Sequence, residues 1–127
     1  SAGQPTDCTL AIPLTMTNLQ NRRCVPCEAG ALALETHVAE QLLAKLSGWQ
    51  LEMNSSSCIT KSYYFKIYHE TMAFVDAIAW VSHREDHHPD LTVSYNACKV
   101  SYTTHAIGGL SENDFICAAK IDALFEL

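Results

Sequence analysis

From Ile59 to Ile67 the chain alternates without a break: Ile59, Lys61, Tyr63, Phe65 and Ile67 share one parity, and Thr60, Ser62, Tyr64 and Lys66 share the other. A β-strand turns successive side chains to opposite faces, so this stretch is expected to set one face in a core and the other toward water. Lys61 is the one misfit on the apolar side. A half-buried strand needs neighbours and a cover, and that need organises the rest of the chain. Upstream, Val38, Ala39, Leu42, Leu43 and Leu46 recur at helical spacing between Gly30 and Leu46, with Ser47-Gly48 as the stop. Trp49 and Leu51 open a short strand, and the turn cluster Asn54-Ser55-Ser56-Ser57 predicts a hairpin into the alternating strand. Downstream, Phe74, Val75, Ile78 and Val81 make one stripe of a helix from His69 to about Glu85, ended by Pro89. Leu91–Tyr95 and Cys98–His105 read as a second strand pair, with Val100 and Tyr102 on one face and Lys99, Ser101, Thr103 and His105 on the other. Gly108-Gly109 breaks the chain. Ser111-Glu112-Asn113-Asp114 then has the form of a capping box, and Cys117, Ala118, Ile121, Leu124 and Phe125 follow at core spacing. The expected fold is α+β: a four-stranded antiparallel sheet with helices packed on one face, in the order α-β-β-α-β-β-α.

One domain is expected over residues 29–127, behind an irregular leader, 1–28, that shows no sustained period and to which no chemistry is assigned. With 127 residues, 48% of them apolar and 17% charged, the chain can bury a core without disulfides or metal. Lys and Arg number 8 against 14 acidic residues, and no basic run exceeds Arg22-Arg23, so no direct nucleic-acid partner is expected. Apolar runs such as Met72–Val81, interrupted by Asp76, fall short of the roughly 20 residues that span a bilayer. Residues 1–14 lack the pattern of a secretory signal, and a cytoplasmic location is the expectation. The cysteines, Cys8, Cys24, Cys27, Cys58, Cys98 and Cys117, are scattered through a chain with ample core, which reads as reduced thiols.

The densest run of titratable groups is Ser82-His83-Arg84-Glu85-Asp86-His87-His88-Pro89-Asp90. Proline disfavours the helical region for the residue before it, so His88 is expected to be extended while His87 closes the helix, and the two rings then diverge. The negative end of a helix favours a protonated imidazole by roughly 0.3–1 kcal/mol. Imidazole, with an ordinary pKa of about 6.5, is the side chain best suited to exchange protons near neutrality. His105, expected at a strand end on the polar parity, would join these residues if the helix end and the strand end frame one pocket. The plainer alternative is a polar helix end displaying solvated histidines. A metal centre is the chemical rival: His83 and His87 stand four apart, and Cys24-Val25-Pro26-Cys27 is a C-x-x-C pair. No second pair follows to complete a ligand set, so a zinc protein is only a minor alternative. No Gly-x-Ser-x-Gly nucleophile elbow occurs.

His87-His88-Pro89, Tyr95, Thr104-His105, Gly109-Leu110-Ser111 and Asp114, in this order and spacing, resemble the signature of the pterin-4a-carbinolamine dehydratase family. The likeness extends to Leu46-Ser47-Gly48-Trp49, Phe65, Phe74, Asn113-Asp114-Phe115 and Ile121-Asp122, over roughly residues 28 to 125. The resemblance implies a four-stranded antiparallel sheet with helices on one side. The implied reaction is dehydration of a 4a-hydroxytetrahydropterin, released by aromatic amino acid hydroxylases, to quinonoid dihydropterin, with no metal or organic cofactor. It implies that His87, His88 and His105 surround the pterin C4a edge as catalytic groups, His88 being the principal proton-transfer residue, and that Asp114, Pro89, Tyr95 and His83 support the site or the substrate. Asp114 also stands where a capping-box acid would hold the last helix. The position four before His87 is often acidic in the family; here it is His83, so the orienting role falls in doubt or passes to Glu85 or Asp86. Trp49, Trp80 and Tyr95 could each lie under a flat pterin, but core positions are the expectation for them.

The resemblance also carries a second class of function, a non-catalytic dimerisation module of the same fold. The complete set of His87, His88, Pro89 and His105 favours the enzyme. A homodimer or homotetramer is expected, since an antiparallel sheet with an unpaired edge offers a natural contact.

Overall fold

The computed structural model describes residues 18–28, 30–53 and 56–125; Cys8, the leader up to residue 17 and the turn residues Asn54 and Ser55 lie outside them. After a 3-10 turn at Leu19–Asn21 come α1 (Thr36–Leu43), β1 (Gln50–Met53), β2 (Ser57–Tyr64), α2 (Tyr68–Glu85), β3 (Asp90–Val93), β4 (Ala97–Tyr102), a 3-10 turn at His105–Ile107 and α3 (Glu112–Ala123). The four strands form one antiparallel sheet in the order β1-β2-β4-β3. Register explains the alternation. Ile59 lies opposite Leu51 and Tyr102, Lys61 opposite Val100, and Tyr63 opposite Cys98, so one parity of every strand shares one face. Ile59, Tyr63, Cys98, Val100 and Tyr102 are buried there under the helices, while Ser62, Tyr64 and Lys99 on the other parity are exposed. The α+β architecture and element order are those expected.

Lys61, the misfit, reaches its charge out of the core: Nζ donates to Asp122 Oδ1 at 2.9 Å and to the Ser47 carbonyl at 2.8 Å. The third helix is more deeply placed than its spacing implied, with every residue from Asn113 to Ala119 buried. A helix buried on all sides needs cover on all sides. Part of that cover comes from residues 18–28, for Leu19 is 5% exposed and belongs to the core, and Lys120 donates to the Gln20 carbonyl.

Several boundaries differ from expectation. The first helix starts at Thr36 and not at Gly30, because Gly30 has φ 96° and the Leu34 N–H donates to the Leu110 carbonyl, which holds 31–35 outside the helix. Helix α2 stops at Glu85, and Asp86 takes the left-handed conformation (φ 52°, ψ 44°), so His87 lies beyond the helix and does not close it. Strand β4 ends at Tyr102, and His105 opens the following 3-10 turn. Of the three aromatic residues expected in the core, Trp49 is buried, whereas Trp80 is 61% and Tyr95 60% exposed.

Candidate functional site

The chain reverses after β4 through a bridge between Thr104 and Gly109. Both glycines of this turn are required: Gly108 has φ 67°, and a Cβ on Gly109 would come 2.7 Å from the Ala33 Cβ. The reversal presents His105 and leaves Thr104 pointing inward, buried against the start of α3. There the capping box forms: Ser111 Oγ accepts from the Asn113 N–H at 3.2 Å, and Asp114 Oδ2 accepts from the Ser111 N–H at 2.9 Å.

The same carboxylate has a second task. Asp114, fully buried, receives the Thr104 hydroxyl at 2.8 Å on Oδ2, while His87 Nε2 lies 2.7 Å from Oδ1. Thr104 has one hydroxyl hydrogen and spends it on Asp114, so Ser111 Oγ, 2.8 Å away, donates to Thr104. Facing an acceptor, His87 Nε2 carries the hydrogen, and Nδ1 makes no hydrogen bond among the described residues. The His87 ring stacks on Tyr102 with centroids 5.7 Å apart and planes 7° from parallel. Burial pushes the Tyr102 phenol well above its ordinary range, so beneath the imidazole it stays neutral.

His87, His88 and His105 line one open cleft of about 480 Å³, together with Cys24–Cys27, Glu85, Asp86, Thr103, Thr104, Ala106 and Asn113. His88 and His105 are exposed, and His87 is half-buried. The remaining expected residues lie elsewhere. Pro89 lines a smaller cavity between α2 and β3, with Val75, Ile78 and His88. His83 is exposed on α2 with its ring 5.6 Å from Trp80. With Asp86 left-handed between them, His83 and His87 do not share a helical face. Tyr95 sits in the β3–β4 turn, stacked on Tyr68, its carbonyl accepting from the Thr71 hydroxyl. That turn is at the far end of β4 from Tyr102, roughly 20 Å away along the strand. Among the described residues no three His, Cys, Asp or Glu side chains gather as a metal ion would need.

Two features of the cleft go beyond the reading of the sequence. The Glu85 side chain is almost fully buried, accepts from the Cys24 N–H at 2.9 Å and from Arg23 Nε at 3.3 Å, and pairs with the Arg23 guanidinium at 3.0 Å. Burial alone would raise its carboxyl, but the Cys24 amide, Lys120 and Arg23 outweigh that and hold it below the usual carboxylate range. The leader, given no chemistry, supplies Cys24, Val25, Pro26 and Cys27 to the wall. Cys24 Sγ lies 3.5 Å from Cys117 Sγ; that neighbour, burial and the Glu85 charge push its thiol far up, so it stays protonated. Glu85 had a signal, since it stands two before His87. The leader had none, having no period of its own.

A family model described as "Pterin 4 alpha carbinolamine dehydratase" matches residues 32–124. A protein of Nitrosomonas europaea with the provisional name pterin-4-alpha-carbinolamine dehydratase is 61% identical over 115 residues, covering 87% of this chain and 99% of that protein. One of Nitrosospira multiformis, provisionally named likewise, is 56% identical over 113 residues, covering 89% and 97%. Among solved structures, that of a transcriptional coactivator/pterin dehydratase from Brucella melitensis superposes with a TM-score of 0.68 at 30% identity, over 72% of this chain and 97% of the other. The match over residues 32–124 takes in His87, His88, His105 and the carboxylate behind them, and the chain belongs to the pterin 4 alpha carbinolamine dehydratase family.

Proposed function

We propose that the chain catalyses loss of water from a 4a-hydroxytetrahydropterin, giving quinonoid dihydropterin, by proton transfer among His87, His88 and His105. The observation that carries this reading is the meeting of these imidazoles, from two distant segments, on one solvent-open cleft. The reaction needs a proton delivered to the 4a-hydroxyl oxygen as the C4a–O bond breaks, and a proton taken from N5 as the C=N bond forms. An imidazole gives or takes a proton near neutrality at little cost. His88, exposed in the cleft, is the principal proton-transfer group, with His105 as its partner. His87 is oriented by Asp114 through Nε2, which leaves Nδ1 as its exchanging nitrogen. The substrate would come from an aromatic amino acid hydroxylase, and the reaction would run in the cytoplasm. The outer edges of β1 and β3, unpaired among the described residues, support self-association as a homodimer or homotetramer.

The test is to add the protein to freshly made 4a-hydroxytetrahydropterin and follow loss of the adduct against the uncatalysed rate. Acceleration that survives prolonged chelation is expected. Decay at the buffer rate would sink the catalytic reading. It would favour the second reading, an interaction module, for which Trp80 and the stacked Tyr68–Tyr95 pair offer exposed aromatic surface.

A further inference from the structure

Residues 22–27 are bound to the domain by bonds that neither the helix cap nor the histidines require. Ser111 and Asp114 complete the cap, so the Asn113 amide next to them is left over, yet it is buried and doubly used. Its Nδ2 donates to the Val25 carbonyl at 2.6 Å, and its Oδ1 accepts from the Val25 N–H at 3.0 Å, satisfying both backbone groups of one residue as a neighbouring strand would. One residue earlier the Cys24 N–H is held by Glu85 Oε1, and Arg22 pairs with Glu112 at 3.0 Å. Nδ2 of Asn113 also lies 3.4 Å from Cys27 Sγ. The outcome is a fixed backbone carrying an unused apolar surface: the Val25 side chain is 58% exposed, is followed by a conformationally stiff proline, and lines the cleft that holds the histidines.

We propose that Cys24–Cys27 is a substrate-binding wall of the pterin cleft, with Val25 and Pro26 as specificity-determining contacts and Asn113 and Glu85 as positioning residues acting through them. The proposal rests on the dehydratase reading and assigns a binding role to residues outside the span the family model matches. A preformed apolar wall contacts the ring system before and during the reaction alike, so it contributes uniform binding: its loss raises KM and leaves kcat in place. The histidines are expected to show the opposite split.

The experiment compares Asn113→Ala and Val25→Ala with the wild type, measuring kcat and KM for the 4a-hydroxy adduct and Kd for 7,8-dihydropterin, a stable reduced pterin. Asn113→Ala removes both bonds to Val25 and keeps the backbone N–H that Ser111 caps. It is expected to raise KM and Kd about tenfold with kcat within about twofold of wild type, and to speed tryptic cleavage after Arg23. Val25→Ala leaves every hydrogen bond intact, which guards against a folding defect, and is expected to raise KM and Kd about threefold. Unchanged KM and Kd in both variants, with the segment released to trypsin, overturn the proposal; so does a fall in kcat at constant KM. A wild type that binds 7,8-dihydropterin without turning over the adduct removes the dehydratase reading and leaves the wall to be decided on Kd. A wild type that does neither overturns both.

Discussion

Two carboxylates of helix α3, Asp114 near its start and Asp122 near its end, each stand beside a cleft. The Asp122 cleft is the larger, about 550 Å³ against about 480 Å³. Asp122 accepts from Trp49 Nε1 at 3.0 Å, from Lys61 Nζ at 2.9 Å and from the Tyr63 hydroxyl, while the Lys61 amine also sits 4.8 Å above the Tyr63 ring. Burial first, then the bond to Asp122 and its charge, push the Tyr63 phenol far above its ordinary range. Indole, ammonium and phenol donors do not exchange protons near neutrality, so this carboxylate ties the sheet to the helix and ends there. Asp114 is tied just as fully, but one of its partners is an imidazole that opens on solvent. What separates the two clefts in this molecule is the chemical type of the group the carboxylate holds, and not the size of the cleft.

The largest effect that would sharpen this contrast lies at the exposed imidazoles. His88→Ala and His105→Ala are each expected to lower turnover by about 10² to 10⁴ with melting little changed. Wild-type turnover together with much earlier melting would make these histidines structural and abolish the contrast. Asp114→Ala comes next. It removes the carboxylate half of the capping box, worth up to about 1 kcal/mol, and also strands the Thr104 and His87 donors, so a total near 3 kcal/mol in denaturant unfolding is expected, with reduced turnover. Asp122→Ala should cost about 2 kcal/mol and leave the turnover of the folded protein unaltered; a large loss of turnover there would break the comparison from the other side.

The smallest effect concerns Glu85 and carries a definite sign in pH. Its folded carboxyl is held below the ordinary range, so the stability it contributes is present above the unfolded pKa and is lost as pH falls through the folded one. Glu85→Gln should therefore be less stable than wild type at neutral pH, by on the order of 1 kcal/mol, and the two melting curves should converge in acid below the carboxylate range. A gap that persists in acid would show that packing, and not the charge, holds the segment.

What the sequence made legible was local. The alternation at Ile59–Ile67 and the capping box at Ser111–Asp114 are patterns of a few residues, and the elements they predict are present, although the strand stops at Tyr64 and Ile67, expected in the core, is 48% exposed as the N-cap of α2. The order of the motif also named the histidines that the structure brings to one cleft. What stayed hidden depends on partners far along the chain. The first helix starts late because Leu34 is bonded to Leu110, and β4 ends early because Thr104 bridges to Gly109. Lys61 could be recognised as a misfit but not resolved, since Asp122 lies sixty-one residues away. The leader's place depends on Glu85 and Asn113, which nothing within residues 18–28 announces. Residue type alone favours a core place for Trp80, yet it occupies the solvent side of α2.

The central claim is that the histidine cleft, and not the larger cleft at Asp122, receives the pterin. It is tested most directly by ¹H–¹⁵N spectra of the chain titrated with 7,8-dihydropterin, read at the imidazoles and at the Trp49 indole N–H that marks Asp122. The account predicts saturable shifts of the His87, His88 and His105 ring signals with the Trp49 indole unmoved. Shifts at Trp49 with the three imidazoles unmoved would contradict it.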